Sequence, residues 1–183
     1  MDRVEALLGE YEKQLTLPWR EDLAGPQRVW MVVYEPNLER RIRLRLPEFE
    51  MATRRASREW AQVDLTRSFS TWMAAHEYRE QYFREPGLIQ LALADFSAQL
   101  AQKVGDVLRS ANERSVVALF GVAALFPMAR ASELIQSVAH DIKGRLLVFF
   151  PGSLEGSNYR LLDARDGWNY LAIPITVPPG SQS

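Results

Sequence analysis

At 183 residues the chain suits one domain with room for a sizeable core, and its 47% hydrophobic and 25% charged residues are those of an ordinary globular protein. Lys+Arg 22 against Asp+Glu 23 leaves a formal charge of -1, so no global pull toward nucleic acid or an anionic membrane is expected, and any patch must be local. The absence of cysteine excludes disulfides, thiolate metal sites and cysteine nucleophiles, and it suits a reducing compartment.

Val4, Leu7, Leu8, Tyr11 and Leu15 recur at helical spacing and predict an amphipathic opening helix rather than a signal peptide, since acids interrupt the segment throughout. Leu17-Pro18-Trp19 ends it, because the residue before proline avoids the helical region. After a turn at Gly25-Pro26, the run Val29 to Tyr34 is short, β-branched and aromatic, as a buried strand is.

Asn37 is placed to cap a second helix, with Leu38, Ile42, Leu46, Phe49, Ala52 and Ala56 on one face. Arg40, Arg43, Arg54 and Arg58 share the opposite face. Pro47 falls inside this pattern and would remove a hydrogen bond to the Arg43 carbonyl, leaving a kink or two shorter helices open. Trp60 to Leu65 reads as a second strand.

Two helical segments follow. The first carries Phe69, Trp72, Met73, His76 and Phe83 on one side; the second starts near Pro86-Gly87 and carries Leu93, Phe96, Leu100, Val104, Val107 and Leu108. Ser115 to Phe120 is a third buried strand. Ser132 is placed to cap a helix, with Glu133 in its first turn and Gly144 where a C-terminal cap belongs. Leu146 to Phe150 is a fourth strand, closed by Pro151-Gly152.

Apolar strands alternating with amphipathic helices predict an α/β fold: a single domain over 1–177, with a mostly parallel sheet covered by helices on both faces. Tyr159 to Leu162 and Tyr170 to Thr176 flank an Asp-Gly turn and predict a C-terminal hairpin or antiparallel edge, where Pro174 is tolerated. The stretch 178–183 reads as a flexible tail. No apolar run approaches the ~20 residues of a membrane span.

Chemistry-bearing motifs are scarce. An open α/β sheet binds ligands beyond the carboxyl ends of its strands. The segment after the first strand, Glu35-Pro36-Asn37-Leu38-Glu39-Arg40, has neither the glycines nor the Lys-Ser/Thr of a phosphate-binding loop. A nucleotide-binding-like fold without its phosphate loop is therefore expected, with no cofactor and no metal. No Gly-x-Ser-x-Gly elbow supplies a nucleophile. His76, among aromatic residues, reads as a half-buried core histidine, and His140 as a partner of a helix end. Asp163 and Asp166 fit turn-holding carboxylates better than magnesium ligands. Catalytic residues are therefore not expected, and the chain reads as a non-enzyme.

Two groups remain as candidate contacts. Segment 37–58 holds seven arginines and three glutamates, a local positive excess without interleaved aromatics on the arginine face. Arg40, Arg43, Arg54 and Arg58 are its candidates for contact with DNA or an acidic partner. The C-terminal turn brings Arg160, Arg165, Asp166 and Trp168 together as a candidate partner interface, residue types typical of interface anchors. The competing reading is that these arginines pair with Asp163 or Asp166 to hold the turn.

The segments Leu17-Pro18-Trp19, Gly25 to Tyr34, Asp64-Leu65-Thr66, Trp72-Met73-Ala74, Phe149-Phe150-Pro151-Gly152 and above all Asn158 to Thr176 resemble the small B component (BrxB-type) of bacteriophage exclusion, or BREX, defence systems. The resemblance implies a cytoplasmic accessory subunit of a phage-defence and host DNA methylation system. Its expected partners are other components of the system, foremost the alkaline-phosphatase-like PglZ-type protein. It brings no catalytic residues to carry over. The alternative is a DNA-contacting adaptor that uses the arginine-rich helix face.

Overall fold

The structure is a computed structural model that describes residues 2–162, the backbone of 168–169, and residues 171–177. Six α-helices and seven strands are assigned there: α1 (Arg3–Thr16), β1 (Val29–Tyr34), α2 (Glu39–Arg55), β2 (Glu59–Asp64), α3 (Ser68–Ala75), α4 (Arg79–Arg84), α5 (Leu93–Ser110), β3 (Ser115–Phe120), α6 (Ala131–Val138), β4 (Arg145–Glu155), β5 (Asn158–Leu161), β6 (Trp168–Asn169) and β7 (Ile173–Ile175).

The sheet runs β2-β3-β4-β1-β7 with every one of these neighbours parallel, and β5 and β6 extend β4 in antiparallel fashion. From β1 the chain moves outward to β2, then returns through β3 to β4. Right-handed crossovers in opposite directions put the connecting helices on opposite faces. Side-chain alternation confirms the two layers. Trp30, Val32, Tyr34, Leu147 and Phe149 face α1 and α2, whereas Val29, Met31, Val33, Val148 and Phe150 face α3, α5 and α6. Strands β1 and β3 are buried at every position, as required of a sheet covered on both sides. Full burial of a side chain such as Phe49 contributes roughly 1.5–3 kcal/mol.

Several local expectations change. Helix α2 continues through Pro47 as one helix. The proline lies on the exposed side, and Arg43–Glu39 and Arg45–Glu48 pairs brace the turns on either side of it. Neither Asn37 nor Ser132 caps a helix: a 3-10 turn, Pro36–Leu38, leads into α2, and Arg130 stands at the α6 N-cap position. The helix expected to carry Phe69 through Phe83 on one side breaks after Ala75 and restarts at Arg79, which turns Phe83 outward. Strand β4 does not stop at Pro151-Gly152 but continues to Glu155, and its hairpin partner is β5. The expected strand from Tyr170 to Thr176 is replaced over the described residues by β7, which pairs parallel to β1 at the sheet edge, with Pro174 on that edge. The 178–183 tail lies outside the described residues.

Candidate functional site

The carboxyl ends of β1 and β2 are tied to α2 by a chain of polar contacts. The Tyr34 hydroxyl donates to Glu39, whose other oxygen accepts from Arg43 Nε at 2.8 Å. Arg43 Nη2 donates to Thr66 Oγ1 at 2.6 Å, and that hydroxyl donates to Asp64, which also accepts the Thr66 backbone N–H at 2.9 Å. Burial tends to raise the Asp64 pKa, but the two Thr66 bonds with Arg43 and Lys103 alongside outweigh it and hold the carboxyl below its usual value. Burial, reinforced by the Glu39 charge, pushes the Tyr34 phenol up. Gly121, at the end of β3, closes over this network with φ +79°; a Cβ there would lie 2.6 Å from Thr66 N.

Beside Asp64 a cleft of about 610 Å³ opens between α3 and α5. Its wall is aromatic and its polar groups converge on Asp95, which accepts from Trp72 Nε1 at 3.2 Å and Gln99 Nε2 at 3.0 Å. His76 is half-buried, its ring 4.9 Å from Trp72 and 5.0 Å from Tyr82. Its Nδ1 accepts the Tyr78 backbone N–H, which puts the proton of the neutral ring on Nε2. Arg67 and Lys103 line the mouth. His140 is exposed and contacts Asp141 at 3.5 Å. Among the described residues no group of three His, Cys, Asp or Glu side chains comes together as metal ligands would.

Next in the chain is an apolar stretch open to solvent. Tyr78, Phe83, Leu88 and Leu91 are exposed over α4 and the following 3-10 turn (Pro86–Leu91), Phe83 to 66% and Leu91 to 85%. Large apolar side chains gathered in the open are a feature that protein surfaces reserve for contacts. Sequence reading missed it by extending the preceding helix. The signal was there in the Pro86-Gly87 break between Phe83 and Leu88.

The arginines of the second helix are dispersed. Arg40 is exposed on α2, Arg43 belongs to the carboxyl-edge network, and Arg54 is paired to Glu50 at 2.7 Å. Arg58 lies beyond the end of α2, its guanidinium 3.8 Å from the Trp19 ring centroid, so it does not share the helix face with the others. The neighbouring Arg41, Arg45 and Arg55 pair with Asp2, Glu48 and Glu12. Most of the local positive excess is thus matched by carboxylates of α1 and α2. Of the C-terminal candidates, Arg160 sits on β5 and pairs with Glu155 at 2.8 Å; Asp163 and Asp166, its other expected partners, lie outside the described residues. The Trp168 backbone pairs with Tyr159. Arg165 and Asp166 lie outside the described residues.

The family model for the BREX protein BrxB matches residues 65–175, more than half of the chain. The chain belongs to the BrxB family. It is therefore a component of the BREX type of defence system. No curated protein and no solved structure matches it. The matched range of this BrxB chain contains the cleft except Asp64, the exposed 78–91 segment and the β4–β5 hairpin, whereas the arginines of α2 precede it. No helix among the described residues is long and apolar enough to cross a membrane.

Proposed function

We propose that the chain serves its BREX system as a non-catalytic interaction subunit in the cytoplasm and that its partner is the PglZ-type, alkaline-phosphatase-like component. The exposed Phe83, Leu88 and Leu91 carry this reading, since solvent-facing apolar groups of this size are stabilised by a partner's surface. The internal pairing of Asp64, Thr66, Arg43 and Glu39 supports it too. The polar groups at the strand ends, where an α/β enzyme presents its chemistry, are engaged with one another.

Co-expression of the chain with the PglZ-type protein tests the proposal. A stoichiometric complex on size exclusion is expected, and Leu91→Glu should weaken it by about tenfold or more while the fold is retained. Separate elution at micromolar concentration, or full affinity in both Leu91→Glu and Phe83→Glu, overturns it.

A further inference from the structure

Each of the central parallel strands begins beside an arginine. Arg28 precedes β1, Arg58 precedes β2, Arg114 precedes β3, and Arg145 opens β4. Because the strands are parallel, all of these residues lie at the amino edge of the sheet, in the spatial order Arg58, Arg114, Arg145, Arg28. Trp19 sits against the row, with Arg58 3.8 Å and Arg145 4.7 Å from its ring centroid.

None of these arginines has a carboxylate partner among the described residues. Arg145 is 4% exposed, yet its bonds go to the carbonyls of Gly144 and Arg20. Arg28 is held by the carbonyls of Leu23, Glu21 and Lys143, and Arg114 by that of Ser57. The Arg58 guanidinium makes no hydrogen bond among the described residues; only its backbone N–H does, to the Thr53 carbonyl. The indole N–H of Trp19 is buried without an acceptor. Carbonyls fix the guanidiniums of Arg28, Arg114 and Arg145 in place without neutralising them, and a desolvated positive charge is costly unless an anion meets it. Burial, with Arg28 and Arg58 close by, pulls the Arg145 pKa down to about 10. The contrast with α2 is sharp: there Arg41, Arg43, Arg45, Arg54 and Arg55 are each matched by an acid.

We propose that this amino edge is a docking site for a short acidic segment of a protein partner, with a carboxylate seated on Arg58 and backed by Trp19 and Arg145. The row spans three inter-strand steps, about 14 Å, which four extended residues cover. A nucleic acid strand would overrun it onto Glu59 and Glu113, which neighbour Arg58 and Arg114 in the chain and repel phosphate, whereas an acidic segment of four residues ends within the row. The indole that would stack a base already carries guanidiniums. The site is distinct from the exposed 78–91 segment.

The test is fluorescence polarisation of labelled tetraglutamate with the full chain. Binding that weakens with salt is expected, reduced about tenfold or more by Arg58→Glu and unaffected by Arg40→Glu on α2. The Arg58 side chain holds no hydrogen bond among the described residues, so its replacement leaves the fold's bonds in place, and Arg58→Gln gives a milder second variant whose loss should be intermediate. Absence of tetraglutamate binding overturns the proposal, as does an equal loss in Arg40→Glu. Arg58-dependent binding of a single-stranded oligonucleotide tighter than that of the peptide also overturns it, assigning the edge to phosphate instead.

Discussion

Tyr11 and Thr53 meet hydroxyl to hydroxyl at 2.6 Å in the fully buried seam between α1 and α2. Thr53 spends its own hydrogen on the Phe49 carbonyl at 2.8 Å, so Tyr11 is the donor and Thr53 the acceptor. Burial raises the Tyr11 pKa and keeps the phenol protonated for that role. The bond makes the two removals unequal. Tyr11→Phe should cost about 1 kcal/mol, whereas Thr53→Val strands a buried phenol and should cost about 1–3 kcal/mol. Denaturant unfolding of both singles and the double should show the double no worse than Thr53→Val; additive losses would refute the coupling.

Gly121 holds φ +79° with Thr66 packed where a side chain would stand. Gly121→Ala meets both the left-handed backbone penalty, about 1–2 kcal/mol, and a clash with Thr66. A loss of about 2 kcal/mol or more is expected in thermal unfolding, with the Asp64–Thr66 contact displaced. A variant as stable as the parent would show that the turn tolerates a Cβ.

Asp64 gives the acid limb of stability a specific contributor. Its folded pKa lies below the unfolded value, so its contribution is present above about pH 4 and is lost as pH falls through the depressed folded value. Asp64→Asn should lower stability at neutral pH and flatten the decline as pH falls below about 4. Parallel stability curves for variant and parent would remove Asp64 from the acid response.

Phe49 and Phe83 should separate cleanly. Phe49→Ala, in the α2 core, should cost about 3–5 kcal/mol. Phe83→Ser should change stability by no more than about 0.5 kcal/mol, because its ring is already in water. A large loss in Phe83→Ser would mean that the ring packs against the protein.

The central sheet was readable because its strands are buried on both faces. Val29 to Tyr34 and Ser115 to Phe120 declare themselves as unbroken apolar runs, and the strands occupy those same residues. The parallel layering followed from their alternation with helices. Elements governed by tertiary contacts were less legible. Periodicity carried the helix past His76, where the aromatic cluster with Trp72 and Tyr82 instead draws the chain into a turn. Pro151 and Gly152 looked like a strand end, but Pro151 lies beside Tyr34 and the chain needs the closeness of Gly152 to the Arg160 carbonyl, where a Cβ would be 1.9 Å away. Arg58 left the expected arginine face for a related reason. Helical spacing places Arg58 with Arg40, but α2 ends at Arg55 and Ser57 adopts φ 59°, so Arg58 turns to Trp19. Neither the cleft beside Asp95 nor the amino-edge row was visible, since both are assembled from residues far apart in the chain.

The placement of β1 between β4 and β7 has a consequence for how the chain is made. Val29–Tyr34 leaves the ribosome long before either neighbour exists, since β4 starts at Arg145 and β7 at Ile173. At typical elongation rates that wait is on the order of ten seconds. During it a ribbon that ends up buried at every position has both edges unsatisfied and must be shielded by α1, by other collapsed segments or by a chaperone.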